Sequence, residues 1–310
     1  MHPKTRVIVN PESNRGRTRK RWKEIKEHLK VFLKEYKYEF TEKPLQAIDL
    51  TRDAIKDGSE LIVGVGGDGT MNEIANGFFE DRKLINPETA LGIVPSGTGC
   101  DLTRSLNIPP RWKDALKVIA EAPTSPIDVG KVTFQNHAGQ TEERYFLNVA
   151  DFGVGGEVVK KVNQERLERK ASSYVKCLVS TMIRYKSKRV RIRIDGFEIP
   201  EGEYLTAAVA NGRIFGKGMK VAPHAKLDDG LFDIILVKGM KFLEFCRHGW
   251  KLFNGTHLSH PKISEWHGKT VEAVPCEAED VLLELDGEQL GKLPGIFELV
   301  PGRFPIKGNL

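Results

Sequence analysis

LIVGVGGDGTMNEIANGF, residues 61–78, joins an apolar strand, a glycine turn and a helix. The apolar run at 61–65 ends in a cluster of glycines, and from residue 70 apolar residues recur with helical spacing up to Phe78. Because the first amide N–H groups of a helix have no partners inside it, such a turn can hold a phosphate group. Asp68 stands in the middle of this turn, where a carboxylate would repel phosphate. We therefore expect a cation between Asp68 and the phosphate.

The chain up to residue 125 alternates between strand and helix patterns, which predicts a parallel, doubly wound sheet. Such sheets bind ligands outside the carboxyl ends of their strands. The polar pieces NPESN (10–14), GGDGT (66–70) and PSGTGCD (95–101) follow predicted strands and should share that edge. The strands are predicted at 6–10, 38–41, 61–65 and 91–95, and the helices follow residue 14 and lie near 44–57, 70–79 and 111–121.

Beyond residue 130 strand patterns predominate, which predicts a second, antiparallel β domain, and 310 residues are ample for two domains. We expect the first domain at 1–128, completed by 296–310, and the second at 129–295. One helix, at 173–186, carries an apolar stripe; packing against the sheet is the favoured interpretation, and a lipid entrance is the alternative. The strands are predicted at 144–150, 189–194, 204–210, 231–237, 270–274 and 281–286.

The composition is that of an ordinary globular protein, with 40% hydrophobic and 29% charged residues. No apolar run approaches the ~20 residues that span a bilayer, and the N-terminus lacks the apolar core of a signal peptide. The four cysteines form no C-x-x-C pair, so they indicate neither a zinc site nor a disulfide framework. We expect a reduced, cytoplasmic protein.

The net charge of +6 is concentrated at NRGRTRKRWK (14–23) and KSKRVRIRI (186–194). Either cluster alone is typical of a solvated helix start or the polar face of a strand. Together they are consistent with attraction to nucleotide phosphates and with peripheral contact to an anionic membrane. No nucleic-acid motif or pattern of stacking aromatics accompanies them, so nucleic acid is not an expected partner.

A second glycine turn, GIVPSGTGCD, repeats the first and places Asp101 at the start of a helix. Each aspartate alone could be an ordinary N-cap or first-turn acid. Two carboxylates in adjacent turns on the ligand edge are better explained by Mg²⁺, bound directly or through water. The match of GVGGDG to the dinucleotide pattern is weak, because it follows the third strand and contains Asp68, and a P-loop would need a lysine after Gly69.

Four motifs occur here in the order seen in diacylglycerol kinase catalytic domains: GGDGT (66–70), PSGTGCD (95–101), DDGLFD (228–233) and DGEQLGKLP (286–294). The chain most resembles the soluble bacterial lipid kinases of that family, over nearly its whole length. GGDGT alone is shared with NAD kinases, and the two later motifs separate the groups.

The resemblance implies a nucleotide-binding α/β domain like that of NAD kinases beside a β-sandwich domain, with the active site between them and with ATP and Mg²⁺ as cofactors. It implies that Asp68 and Asp101 organise catalytic Mg²⁺ and that Asp286 and Glu288 activate the lipid hydroxyl, with Asp286 slightly ahead as the base or the two acting together. A second, structural Mg²⁺ is implied at Asp229 and the main-chain carbonyls of Lys226 and Leu231. The implied ATP contacts are Asn10, Pro11, Glu12, Ser13, Asn14, Thr41, Gly66, Gly67, Asp68, Gly69, Thr70, Met71, Asn72, Glu73, Gly97 and Thr98.

Two positions depart from the family pattern. Cys100 replaces an expected asparagine, which removes the hydrogen bonds of that side chain, and Asn14 replaces an expected glycine. Asparagine tolerates positive φ better than most residues, so the turn at Asn14 should survive. Neither change removes a carboxylate, and activity is expected.

The expected function is phosphorylation of a lipid alcohol. Conversion of diacylglycerol to phosphatidic acid is favoured, and sphingoid bases, phosphatidylglycerol and other alcohols are alternative acceptors. The alternatives are a kinase of a soluble acceptor such as NAD and a non-catalytic lipid or nucleotide sensor. A dehydrogenase is disfavoured by Asp68. The expected partners are the lipid and the membrane surface, with a homodimer left open.

Overall fold

The computed structural model describes residues 4–33, 35–164 and 171–308. The chain forms two compact units, Met1–Asp128 with Gly302–Leu310, and Val129–Pro301. From the sequence, the chain was expected to rejoin the first unit at residue 296. It rejoins that unit six residues later, at Gly302, because one continuous strand, Glu288–Lys307, runs from the second unit into the first and no turn marks the boundary.

The first unit is built on a parallel sheet, as predicted. Its strands lie in the order β2–β1–β3–β6, and the end of β17 extends the sheet through a parallel pair between Ile306 and Leu91. The elements are β1 (Thr5–Val9), α1 (Ser13–Leu33), β2 (Lys37–Phe40), α2 (Gln46–Lys56), β3 (Leu61–Gly66), α3 (Asp68–Gly77), the short strands β4 (Phe79–Glu80) and β5 (Lys83–Leu84), β6 (Ala90–Pro95), α4 (Asp101–Ser105) and α5 (Trp112–Glu121).

The core of the first unit lies between this sheet and helices α1 and α5. Alternate residues of the strands, among them Val7 and Val63, pack against Ile25 of α1 and Leu116 of α5. Burial of these branched side chains removes apolar surface from water and holds the helices on the sheet. The rigid sheet thereby fixes where each strand ends and each glycine turn begins.

The second unit is an antiparallel β structure. Six of its strands pair in a closed ring, in the order β9–β16–β17–β15–β10–β12, around a core rich in phenylalanine. Its strands are β7 (Thr124–Asn136, which begins in the first unit), β8 (Thr141–Phe146), β9 (Val149–Gly153), β10 (Lys188–Ile194), β11 (Phe197–Glu198), β12 (Gly202–Ala210), β13 (Phe232–Lys238), β14 (Ile263–Gly268), β15 (Thr270–Pro275), β16 (Leu282–Leu285) and β17 (Glu288–Lys307).

The strand predicted at 144–150 is wrong as a single element. The chain breaks at Leu147 and Asn148, between β8 and β9, because the N–H groups there point at a side chain rather than at a neighbouring strand. The strand predicted at 281–286 ends at Leu285, and Asp286 belongs to a turn.

Helices cover one side of the second unit: α6 (Val154–Gln164), α7 (Ala171–Met182), α8 (Phe242–His248) and α9 (Lys251–Asn254), followed by a 3₁₀ turn (His257–Ser259). Helix α7 corresponds to the helix predicted at 173–186, although the side chain of Tyr174 lies outside the described part. No described helix is long and apolar enough to span a bilayer.

The two basic clusters differ in their surroundings. In β10 the arginines alternate with buried residues and pair with glutamates, for example Arg193 with Glu198 at 3.0 Å and Arg189 with Glu201 at 3.3 Å. This pairing favours the interpretation of 186–194 as the polar face of a strand. In α1, Arg19 pairs with Glu12 at 2.5 Å.

Candidate active site

The carboxyl ends of β1 and β3 are tied together by side chains of the predicted nucleotide site. The amide of Asn10 donates to the Thr70 hydroxyl at 3.0 Å. The side-chain oxygen of Asn10, Oδ1, accepts the backbone N–H groups of Glu12 (3.0 Å) and Ser13 (3.1 Å). Asn10 therefore shapes the NPESN turn and fixes it against the start of α3, as parallel strands ending at one edge predict.

The two glycine turns touch through their backbones. A methyl group added at Gly97 would lie 2.5 Å from the Cα of Gly67, and one added at Gly67 would lie 3.2 Å from the Cα of Gly97. Ser13 joins the contact, since its hydroxyl donates to the carbonyl of Ser96 at 3.3 Å. Glycine is needed at both positions because the chains approach closely. GGDGT and PSGTG thus form one continuous backbone surface.

The two aspartates of these turns already have protein partners. Asp68 Oδ1 accepts the N–H of Leu102 in the first turn of α4, at 3.2 Å. Asp101 Oδ1 pairs with Arg104 Nη1 at 2.5 Å. Asp68 and Asp101 are first-turn acids of α3 and α4, as one alternative from the sequence held, and Asp68 also binds the first turn of the other helix. These bonds leave a role in cation binding open, because a carboxylate has about four lone-pair sites.

Cys100 lies between the two acids in a left-handed conformation, with φ of 55°. Burial, followed by the negative charges of Asp68 and Asp101, raises the pKa of its thiol to about 12. The thiol is therefore neutral at physiological pH. Because Asp68 accepts the N–H of Leu102, the residue after Asp101, the two carboxylates converge on this part of the turn.

This convergence is the feature that fits Mg²⁺. Two carboxylates in neighbouring turns offer the hard oxygen donors that the ion prefers, and Mg²⁺ commonly keeps several waters and binds through one or two carboxylates plus phosphates. Asp68 and Asp101 are the residues that would hold it. The ion would neutralise phosphate charge beside the exposed backbone of the glycine turns.

Of the other predicted nucleotide residues, some lie in the turns that follow strands and others lie inside helix α3. Asn14 has φ of 53°, so asparagine does sustain the left-handed turn that the sequence analysis expected. Thr41 and Thr98 lie at or near the strand ends, the former with its N–H bonded to Val9. Met71 and Asn72 are buried inside α3, and Met71 packs beside Gly64 of β3.

Glu73 also faces inward from α3. Its carboxylate accepts the N–H of Ala47 at the start of α2, at 3.3 Å. The side chains of Met71 and Glu73 thus help to fix α3 within the first unit. The contact of Met71, Asn72 and Glu73 with ATP stays a prediction.

In the second unit, Asp286 and Gly287 form the two-residue turn between β16 and β17. Both have positive φ, 48° and 88°, the conformation that Asp-Gly favours in tight hairpins. Glu288 begins β17 immediately after the turn and is half-buried. The hairpin brings the two predicted catalytic acids to the same end of the strand pair.

Asp286 is anchored by three successive backbone N–H groups. Its Oδ2 accepts from Leu147 at 3.0 Å, and its Oδ1 accepts from Asn148 at 3.0 Å and from Val149 at 3.1 Å. These donors explain the break between β8 and β9. Hydrogen bonds of this kind favour the charged form of a carboxylate and make it a weaker proton acceptor. No local sequence pattern predicts this anchoring, since the donors are 137 to 139 residues away.

The DDGLFD segment forms a turn before β13. Asp229 is exposed, and its Oδ1 accepts the N–H of Leu231 at 3.2 Å. A group of possible metal ligands lies farther along: oxygen or nitrogen atoms of Asp233, Glu265 and His267 lie within 4.8 Å of one another. Asp229, Lys226 and Leu231 are not members of that group, and sequence reasoning did not single it out.

A cavity of about 820 Å³, its open mouth included, lies in the second unit between the helices and strands β9, β12, β13 and β14. Helix α7 contributes to its wall, which is the lipid-entrance alternative considered for its apolar stripe. The wall is mainly apolar, and its apolar members include Leu178, Met182, Leu205, Val237, Met240 and Phe245.

Known protein families match both units of the chain. Residues 4–132 match the family model of the diacylglycerol kinase catalytic domain. Residues 148–307 match that of the YegS C-terminal NAD kinase beta sandwich-like domain. The two matches cover the parallel sheet with its glycine turns and the antiparallel ring with its Asp286 hairpin.

Named relatives align over almost the full chain. A diacylglycerol kinase from Staphylococcus aureus is 30% identical over 96% of this chain and 90% of its own length. One from Staphylococcus saprophyticus is 29% identical, covering 96% and 92%.

Solved structures show the same architecture. A diacylglycerol kinase from Bacillus anthracis strain Sterne superposes with a TM-score of 0.72 at 25% identity, over 99% of this chain and 97% of that one. An NAD kinase from Archaeoglobus fulgidus, solved with ATP, shares the fold at a TM-score of 0.51 and 18% identity, over 98% and 94% of the two chains. The glycine turns, the anchored Asp286 hairpin and these full-length matches together identify the chain as a member of the diacylglycerol kinase family.

Proposed function

We propose that this protein is an ATP- and Mg²⁺-dependent lipid kinase that phosphorylates the hydroxyl of a lipid alcohol, with diacylglycerol as the expected acceptor and phosphatidic acid as the product. The observation that carries the proposal is the apolar cavity in the second unit of a chain from this family. A soluble, charged acceptor such as NAD gains nothing from such a wall, whereas burial of an acyl chain is favourable in proportion to the area removed from water.

The nucleotide would bind at the edge where β1, β3 and β6 end. The touching backbones at Gly67 and Gly97 leave no side chain in the way, so amide N–H groups can approach the phosphates. Asp68 and Asp101 would hold Mg²⁺ against them. Phosphoryl transfer depends mainly on such positioning and on neutralisation of charge.

We assign the proton acceptor to Glu288 rather than to Asp286. Three of the lone-pair sites of Asp286 are taken by backbone N–H groups, so its part is to hold the turn and orient its neighbour. Glu288 stands one residue beyond the turn, and its side chain is half-buried. A general base must reach the hydroxyl proton, which a carboxylate held by three backbone N–H groups does less readily.

Contact with a membrane is proposed through helices α8 and α9. Leu243 and Trp250 are 80% and 60% exposed, while Phe245 and Leu252 of the same segment line the cavity. One segment thus presents apolar side chains both to solvent and to the cavity. Insertion of the exposed residues into the headgroup region would open a path for a lipid that never passes through water.

A cavity-filling variant tests the proposal. Leu178→Trp on α7 places a large ring in the cavity, and Val175→Trp on the same helix adds the same ring at an exposed position. We expect diacylglycerol in mixed micelles to stimulate ADP formation by wild type and Val175→Trp, and to stimulate Leu178→Trp at least tenfold less. Equal stimulation of all three proteins would contradict the proposal, as would stimulation by NAD in place of lipid.

A further inference from the structure

The cavity contains one acidic group that the proposed chemistry does not use, Asp151 in β9. It is 1% exposed, and within the described part of the chain neither carboxylate oxygen has a hydrogen-bond partner. Burial raises the pKa of this carboxyl to about 8. An unsatisfied buried carboxyl is rare, and such groups concentrate where a protein binds something.

The backbone is arranged to admit this side chain. Asp151 shares a face of β9 with Val149 and points toward the first turn of α6, where Gly155 lies. A methyl group added at Gly155 would lie 1.9 Å from Asp151 Oδ2. The carboxyl therefore fills the space of an absent side chain, and both residues line the cavity.

Within the described part of the chain, no cation forms an ion pair with the Asp151 carboxyl. Across β16 its direct neighbour is another buried acid, Glu284, whose Oε2 accepts the N–H of Gly287 at 2.9 Å. Burial, followed by the negative charges of Glu157 and Asp151, raises the pKa of the nearby Tyr185 hydroxyl. The cation that lines the cavity, Lys251, lies 3.3 Å from the hydroxyl of Ser259. Three histidines also line the cavity: His248, His257 and His260.

We propose that Asp151 is the polar anchor of the cavity, accepting a hydrogen bond from a hydroxyl or ammonium group of an amphiphile whose apolar chain lies along the cavity wall. The inference rests on the proposed function in taking the occupant to be a lipid. It deepens that function, because it makes Asp151 a specificity-determining residue that selects lipids with a donor near the chain. An apolar wall favours any alkyl chain, whereas one buried acceptor discriminates between chains by the donor they carry.

Calorimetry with short amphiphiles tests this without ATP or turnover. The probes are decanol, decylamine and decyl methyl ether, which share a chain and differ in whether they carry a donor. We expect wild type to bind decanol or decylamine about tenfold or more tighter than the ether, as loss of one buried hydrogen bond implies. In Asp151→Leu, of similar shape, this preference should vanish while the ether still binds, which shows that the cavity is intact.

The arms of the experiment separate the outcomes. Tighter binding of decylamine with proton release, measured in two buffers of different ionisation enthalpy, identifies an ammonium ligand; tighter binding of decanol identifies a hydroxyl. If Asp151→Leu fails to bind the ether, Asp151→Asn decides, since it keeps a neutral acceptor and should lose only the preference for the amine. Equal affinity of wild type for all three probes overturns the inference and leaves the kinase proposal to its own test.

Discussion

Replacement of Gly97 by alanine should separate the two glycine turns and disable the nucleotide site. The added methyl would lie 2.5 Å from the Cα of Gly67, whereas ordinary contact begins near 3.4 Å, so the backbones must part by roughly 0.9 Å. At Gly67 the corresponding contact is 3.2 Å and needs a far smaller shift. A displacement near 1 Å in a positioned site costs about a hundredfold in rate. We therefore expect Gly97→Ala to lower kcat/KM for ATP about a hundredfold and Gly67→Ala less than about tenfold.

Steady-state ADP formation with saturating lipid measures the effect, and calorimetric titration with MgATP separates lost binding from lost turnover. Thermal unfolding provides the control, because overpacking of ~1–3 kcal/mol shifts Tm by several degrees without unfolding a protein of this size. Equal damage by Gly67→Ala and Gly97→Ala would contradict this prediction, since the two positions differ chiefly in how closely the backbones approach.

Three further predictions concern single side chains. Glu288→Gln should lose at least about a hundredfold in kcat with an unchanged Tm, whereas Asp286→Ala, which strands three buried N–H groups, should lower Tm by several degrees; circular dichroism melts and initial rates distinguish the two. Because its pKa is raised to about 12, the Cys100 thiol should resist iodoacetamide at pH 8 while the exposed Cys246 reacts, which mass spectrometry of the digested protein detects. Trp250→Ser should weaken sedimentation with anionic vesicles without changing ATP binding, and equal sedimentation would remove α8 and α9 as the membrane surface.

Much of the first unit was predictable because its signals are local. Each strand is a short apolar run that ends in glycine or a polar residue, and the observed strands β1, β2, β3 and β6 lie within about a residue of the predicted ones. Because parallel strands end at one edge of the sheet, Asn10 and Thr70 are expected to lie together, and they are joined by a hydrogen bond. The roles of the individual site residues were inferred from the family resemblance, because spacing alone does not assign them.

The second unit exposed the limits of local patterns. RYFLNVA reads as one strand, and the break at Leu147 arises from Asp286, far away in sequence. The cavity and the place of Asp151 in it follow from packing among four helices and four strands, which no periodicity encodes. A buried acid in an apolar strand was visible in the sequence as a departure from the pattern, and this departure was the signal that could have found it.

Label transfer from γ-labelled ATP is the most direct test of the central claim. Wild type would be incubated with Mg²⁺, NAD and mixed micelles that contain diacylglycerol, and the products separated by chromatography. We expect labelled phosphatidic acid from wild type, and we expect Glu288→Gln to transfer the label at least about a hundredfold more slowly. Label in NADP with none in lipid would contradict the account and make the protein a kinase of a soluble acceptor.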